Sequence, residues 1–281
     1  MFACNPGTAG DGIHDQPEPY GRPPEALAQG GVPAGTLTAL TPFASAIYGG
    51  HEFGLRVYVP AQYAATAPAA LMIVQDGPSH YLGATDAKFF ANIVLDNLID
   101  EGTMPVSIGV FVDPCMAACE SERVMIYDDV SDKFSRMLTE ELIPSIAAQY
   151  SLIDDADARL LVGFSAGAIQ SFTSAWHQPN SFHKLIGHNT SFPAAKALGS
   201  DYAALVAAAP KRDLRLSLVS GTNDLSDGRG NWLEANQQMA DALIAKGNSV
   251  RLMTGTGGHY PPDQSSMDFP NALRWIWQGC P

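Results

Sequence analysis

Leu160-Leu161-Val162-Gly163-Phe164-Ser165-Ala166-Gly167-Ala168 carries an apolar run directly into Gly-x-Ser-x-Gly and on into a helix-forming segment. A strand that ends in this turn and restarts as a helix is the layout of a nucleophile elbow. The flanking glycines remove Cβ atoms that would collide as the backbone doubles back. Such a turn holds the Ser165 hydroxyl clear of the surface and aims the amide of Ala166 at the space where an oxyanion forms. The bland alternative is a tight strand-to-helix turn with a satisfied serine.

Outward from the elbow, the chain alternates strand and helix patterns. Upstream, Phe53 to Val59 reads as a strand stopped by Pro60, and Ala69 to Val74 as a buried strand that runs into Gln75-Asp76-Gly77-Pro78. A helix is expected from Asp86 to Leu98, a strand from Met104 to Asp113, and a surface excursion over 114–131. A second crossover helix is carried by Phe134, Met137, Leu138, Leu142, Ile143 and Ile146. Downstream, the elbow helix should run to about Trp176, since Pro179 and Asn180 follow. Three more strands, at Leu185 to His188, Leu214 to Val219 and Val250 to Met253, alternate with helices near 194–207 and 231–246, and a last helix is expected over Asn271 to Gln278. Parallel strands joined by helices require a mostly parallel sheet covered on both faces, an α/β three-layer sandwich. The expected organisation is an irregular leader over residues 1–35, with edge strands from Leu37, and a single catalytic domain over 36–281.

Composition narrows the partners. With 16 basic and 29 acidic residues among 281, the formal charge of −13 disfavours nucleic acid and anionic membranes. No run of apolar residues is long enough to span a bilayer. The stretch from Met1 to Pro24 lacks the basic start and apolar centre of a secretion signal, so the compartment stays open: periplasmic or secreted if a signal was removed, otherwise cytoplasmic. Cys115 and Cys119 are near enough to pair, and Cys4 with Cys280 would tie the termini, but four cysteines permit three connectivities and the sequence does not choose. The sequence also leaves a homo-oligomer open.

A serine hydroxyl needs a base within reach and an acid that fixes the base's tautomer. His259 stands in Gly255-Thr256-Gly257-Gly258-His259-Tyr260, just after the last expected strand. Asp224 follows the strand before it, in Val219-Ser220-Gly221-Thr222-Asn223-Asp224, with Asp227 as the alternative acid; Asp224 is nearer the strand end, where position is better controlled. The order serine, acid, histidine is the one this type of fold uses. A second oxyanion amide is expected from Gly77, Ser79 or a neighbour, because Pro78 has no N–H. His80, Tyr81, Asn189 and Trp232 are candidates for the substrate cleft, though Trp232 also fits the start of a helix capped by Asn231. Arg123, among Glu120, Glu122 and Asp128, is read first as an ion-pairing residue and second as a contact for an acidic substrate. No metal or organic cofactor is called for.

These pieces together resemble the esterase family that includes the enterochelin esterases, feruloyl esterases and the esterase D type, over residues 50–278. The resemblance rests on Val57-Tyr58-Val59-Pro60, Gln75-Asp76-Gly77, Ile108-Gly109-Val110-Phe111-Val112, Val130-Ser131-Asp132-Lys133-Phe134 leading to Glu140-Glu141-Leu142-Ile143-Pro144, the elbow, and Gly257-Gly258-His259. It implies an α/β-hydrolase fold, with Ser165 as nucleophile, His259 as base and Asp224 as acid. This chain departs from the relatives at Gly167-Ala168, where many have paired glycines, and in the acidic, cysteine-bearing segment Met116 to Ile126. The expectation is a serine hydrolase that cleaves a small-molecule carboxylic ester through an acyl-enzyme. The competing readings are an acyltransferase with the same triad, a peptidase, and a non-catalytic binding protein on the same fold.

Overall fold

The computed structural model describes residues 10–82, 89–116 and 119–280. Among the described residues there are twelve strands: β1 Gly12–Asp15, β2 Thr36–Leu37, β3 Thr41–Ser45, β4 His51–Val59, β5 Ala70–Gln75, β6 Ser107–Asp113, β7 Arg159–Phe164, β8 Lys184–His188, β9 Arg215–Val219, β10 Ser226–Asp227, β11 Gly230–Asn231 and β12 Ser249–Thr254. Ten of them form one sheet in the order β1-β12-β9-β8-β7-β5-β6-β4-β2, with β3 on β4, while β10 and β11 make a small hairpin. Pairing is parallel from β1 through β6 and antiparallel at β4, β2 and β3.

The elbow strand lies centrally between β5 and β8, which is why it reads as a continuous apolar run. Leu161 faces one core and Leu160 with Val162 the other, as the period of two requires. The first core is covered by the elbow helix (Ala166–His177) through Ile169, Phe172 and Ala175, and by the helix Trp232–Ala245 through Met239 and Leu243. The second is covered by Ala91–Asp100 through Val94, Leu95 and Leu98, and by Asp263–Trp277 through Phe269, Leu273 and Ile276. Each fully buried side chain of this kind contributes about 1.5–3 kcal/mol.

Some expectations shift. Gly12–Asp15, inside the stretch read as irregular leader, adds a parallel edge strand to β12. The helix expected from Asp86 starts at Ala91: Phe90 takes a left-handed conformation (φ 46°), and 83–88 lie outside the described residues. The 114–131 excursion contains the helix Glu120–Tyr127, which buries Ile126 and Tyr127 in the first core. The crossover after it is helical from Lys133 to Ala147 but widens to i→i+5 bonding over Met137–Leu142. Pro144 accounts for this, since its ring crowds the carbonyl four residues earlier and it has no N–H to donate. The helix near 194–207 is two helices, Phe192–Ala197 and Tyr202–Ala208, separated at Gly199 with φ 93°. The last helix begins at Asp263, eight residues before the expected Asn271.

Cys115 and Cys119 form a disulfide, and Cys280 is also disulfide-bonded; Cys4 lies outside the described residues. Among the described residues, no helix is long and apolar enough to cross a membrane.

His188, at the end of β8, is fully buried between Phe89, Phe269 and Tyr81, and its Nδ1 lies 2.7 Å from the Tyr81 hydroxyl. Burial, helped by the Arg251 charge, pushes its pKa down to about 3. Because the unfolded chain protonates this ring near pH 6.5 and the folded chain does not, stability is lost as pH falls from about 6.5 toward about 3, at up to about 1.4 kcal/mol per pH unit. Urea denaturation at about pH 7 and about pH 5 should show a larger acid loss for the native chain than for His188→Asn. Equal losses would remove His188 as the cause.

Candidate active site

The carboxyl ends of β5, β6, β7, β8 and β9 open onto one edge of the sheet, and the chemistry-bearing residues gather there. Ser165 sits between β7 and the elbow helix with φ 53° and ψ −114°, a conformation that costs a non-glycine residue of order 1–3 kcal/mol. Its amide donates to the His188 carbonyl at 2.8 Å, which ties the elbow to the neighbouring strand. A Cβ on Gly163 would overlap the Gly167 carbonyl, and this is the physical content of the two motif glycines. Ala166 opens the helix, so its N–H has no intrahelical acceptor.

Ser165 Oγ lies 2.9 Å from His259 Nε2, and His259 Nδ1 lies 2.6 Å from Asp224 Oδ1. With Nδ1–H donating to the carboxylate, Nε2 is left to accept the serine proton. Asp224 is buried, and that alone would raise its pKa. Hydrogen bonds from His259, Ser220 and the Leu225 amide outweigh burial and hold the carboxyl below the usual carboxylate range. Its Oδ2 accepts from Asn189 Nδ2 at 2.8 Å and from Ser220 Oγ at 2.7 Å, so both oxygens are oriented. The loops that carry Asp224 and His259 touch backbone to backbone: Asn223 bridges Gly258, and a Cβ on Gly221 would overlap the Gly257 carbonyl. Phe164 packs 5.1 Å and Trp232 6.2 Å, ring to ring, from His259.

A cleft of about 640 Å³ opens beside Ser165 and His259, with Phe164, His80, Ser79, Met116, Asp113 and Arg123 on its walls. His80 stacks on Phe164 with ring centres 5.8 Å apart. Arg123 pairs with Asp76 through bonds of 3.0 and 2.6 Å. The Ser79 amide points to Asp113 Oδ1 at 3.4 Å, and Gly77 is packed so closely on Phe111 that a Cβ would come within 2.6 Å of it.

The structure separates the other candidates. Asp227 is exposed and engaged by Arg229 at 2.6 Å, so it does not meet the imidazole. Tyr81 is fully buried with its hydroxyl on His188, beneath the cleft instead of on its wall. Asn189 is buried as well and positions Asp224. Trp232 is buried behind His259 and starts the helix that Asn231 caps through the Glu234 amide at 2.9 Å. Ser191, in the stretch after β8 at the same sheet edge, places its Oγ 3.1 Å from that of Ser165. Two residues were missed: Ser220 bonds Asp224, and Asp113 lines the cleft. Each follows or ends an apolar strand at the same sheet edge, and that placement is the signal that could have found them.

Among the described residues, the one cluster with metal-ligand spacing is Cys115, Cys119 and Glu122, and its two sulfurs are joined to each other.

A mostly parallel sheet, a strained serine on a strand-to-helix elbow, and an acid and a histidine on the next loops in chain order define an α/β-hydrolase. The chain belongs to the esterase family described as "Putative esterase", whose model matches residues 45–276. Similar solved structures carry the same fold. The enterobactin esterase from Shigella flexneri superposes with a TM-score of 0.71 at 17% identity, over 92% of this chain and 63% of its own. The ferulic acid esterase from the anaerobic fungus Anaeromyces mucronatus gives 0.66 at 17%, over 89% and 93%. The feruloyl esterase module from Clostridium thermocellum gives 0.67 at 14%, over 92% and 94%. The chain thus spans less than two thirds of the length of the Shigella enterobactin esterase.

Proposed function

We propose that this chain is a serine esterase that cleaves a small-molecule carboxylic ester through an acyl-enzyme, with residues 36–281 as its catalytic domain. The observation that carries the reading is the unbroken hydrogen-bond chain from Ser165 Oγ to His259 to Asp224. Ser165 attacks the carbonyl carbon while His259 Nε2 takes the hydroxyl proton, and Asp224 stabilises the imidazolium that results. The tetrahedral oxyanion is held by the Ala166 amide and by one amide of the Gly77–Ser79 turn. Collapse breaks the ester C–O bond, and His259 returns the proton to the departing alkoxide. Water, deprotonated by the same imidazole, then attacks the acyl-serine, and the acid leaves.

The acid assignment has a direct test. Asp224→Asn keeps a carbonyl for Asn189 and Ser220 and turns an NH2 donor toward His259 Nδ1, which favours the wrong tautomer. It should lower kcat on a para-nitrophenyl ester by about 10³-fold or more, whereas Asp227→Asn should change it less than about threefold. Comparable losses in the two variants, or the larger loss in Asp227→Asn, would reverse the assignment.

A further inference from the structure

The cleft beside Ser165 holds two carboxylates in different states of compensation. Asp76, buried at the end of β5, has both oxygens taken by Arg123, Oδ1 from Nε at 3.0 Å and Oδ2 from Nη2 at 2.6 Å. Asp113 ends the neighbouring strand β6, and only its Oδ1 is engaged: it accepts from Ser79 Oγ at 3.1 Å and, at greater length, from the Ser79 amide at 3.4 Å. No described group bonds Asp113 Oδ2. Asp113 lines the same cleft as Ser165 and His259.

The charged and titratable groups around Asp113 do not cancel it. Asp76 repels it from β5, while Arg123, on the helix Glu120–Tyr127, attracts it but spends a two-point contact on Asp76. His80, on the turn after β5, meets Ser79 Oγ with Nδ1 at 2.9 Å, and His51, opening β4, reaches the Pro114 carbonyl with Nε2 at 2.6 Å. His259 belongs to the hydrogen-bond chain of Ser165.

We propose that Asp113 is a specificity-determining residue that selects substrates by charge: it favours an ester that carries an ammonium group and disfavours one that carries a carboxylate. The inference rests on the esterase reading and names a substrate class for that same cleft. An uncompensated carboxylate in a partly desolvated wall acts on a neighbouring charge more strongly than the same group in water. Burial, followed by the Asp76 charge, pushes the Asp113 carboxyl up to about 7, against the opposing pull of Ser79 and Arg123. It therefore gains its charge as the pH rises through that value, and selection strengthens between about pH 6 and about pH 8.

The test uses three para-nitrophenyl esters of similar chain length: the gamma-trimethylammonio-butyrate, its neutral isostere with a tert-butyl group, and the hemiglutarate. For the native chain, the ratio of kcat/KM for the ammonium ester to that for the carboxylate ester should rise across this pH range. In Asp113→Asn the ratio should fall by roughly tenfold at about pH 8 and lose its rise with pH. A ratio unchanged by Asp113→Asn, or a ratio flat with pH in the native chain, would overturn the proposal. The native-chain pH profile stands without the variant, so misfolding of Asp113→Asn does not rescue it. Failure of the esterase reading looks different and takes the proposal with it: none of the three esters would be turned over, or turnover would persist in Ser165→Ala whatever the charge preference.

Discussion

Ser165→Ala is expected to lower kcat on an activated ester by about 10³-fold or more, with KM changed far less. The asymmetry follows from what the hydroxyl does in the proposed mechanism. There it forms a bond only along the reaction path, so removing it would take little from ground-state binding and nearly all of the covalent route. The hydroxyl packs against polar neighbours, Ser191 Oγ at 3.1 Å and His259 Nε2 at 2.9 Å, and no apolar core rests on it. The fold should therefore survive the substitution. Far-UV circular dichroism and the urea midpoint check that survival, and progress curves with an enzyme-free blank measure the rate. A loss of only a few-fold in a folded variant would count against a serine mechanism at this site.

Arg251→Met is expected to destabilise the chain by about 3–5 kcal/mol, the largest stability effect expected of a single substitution outside the apolar cores. Arg251 lies on β12 and bonds Asp268 in the last helix through two contacts of 2.7 and 2.5 Å, with Ser217 Oγ at 3.1 Å from Nη1. Asp268 is fully buried, and burial raises its pKa even with the guanidinium beside it. Removing the cation leaves a carboxylate with no water to solvate it, so the cost is the stranded charge as much as the lost bond. The double variant Arg251→Met with Asp268→Leu should recover most of the loss, because it strands nothing. Urea denaturation of the native chain and the two variants measures this; a single-variant loss below about 1 kcal/mol, or no recovery in the double variant, would contradict it. The pair also brackets the loop that carries His259, which runs from β12 to the last helix.

The parts of the sequence that spoke clearly are those whose signal is local. The run Leu160 to Val162 is apolar because β7 has neighbours on both sides and cores on both faces, and the elbow glycines are needed by the turn itself. Asp224 and Asp227 are three residues apart; nearness to the end of β9 favours the first, and the hydrogen bonds place Asp224 on His259 and Asp227 on Arg229. Signals failed where a long-range partner changes what a residue can do. Gln264, Ser265, Ser266 and Asp268 are polar, and Pro270 reads as a helix breaker, so the last helix seemed to begin after them. They are buried, and Gly257, Asn189, the Asp263 carbonyl and Arg251 bond Gln264 Oε1, Ser265, Ser266 and Asp268 in turn. Arg123 finds its carboxylate 47 residues away at Asp76, a distance at which charge patterning carries no information. Gly12–Asp15 has neither alternation nor β-branched residues beyond Ile13, and only the open edge of β12 makes it a strand.

The central claim is that one serine among many is activated by His259 and Asp224. Incubating the folded chain with a fluorophosphonate, followed by peptide mass mapping, reads that activation directly, since only a serine with a base in reach reacts at neutral pH. The account predicts a single adduct on the peptide that contains Ser165, abolished in Ser165→Ala and strongly slowed in His259→Ala. An adduct on another serine, or none on the folded native chain, would contradict it.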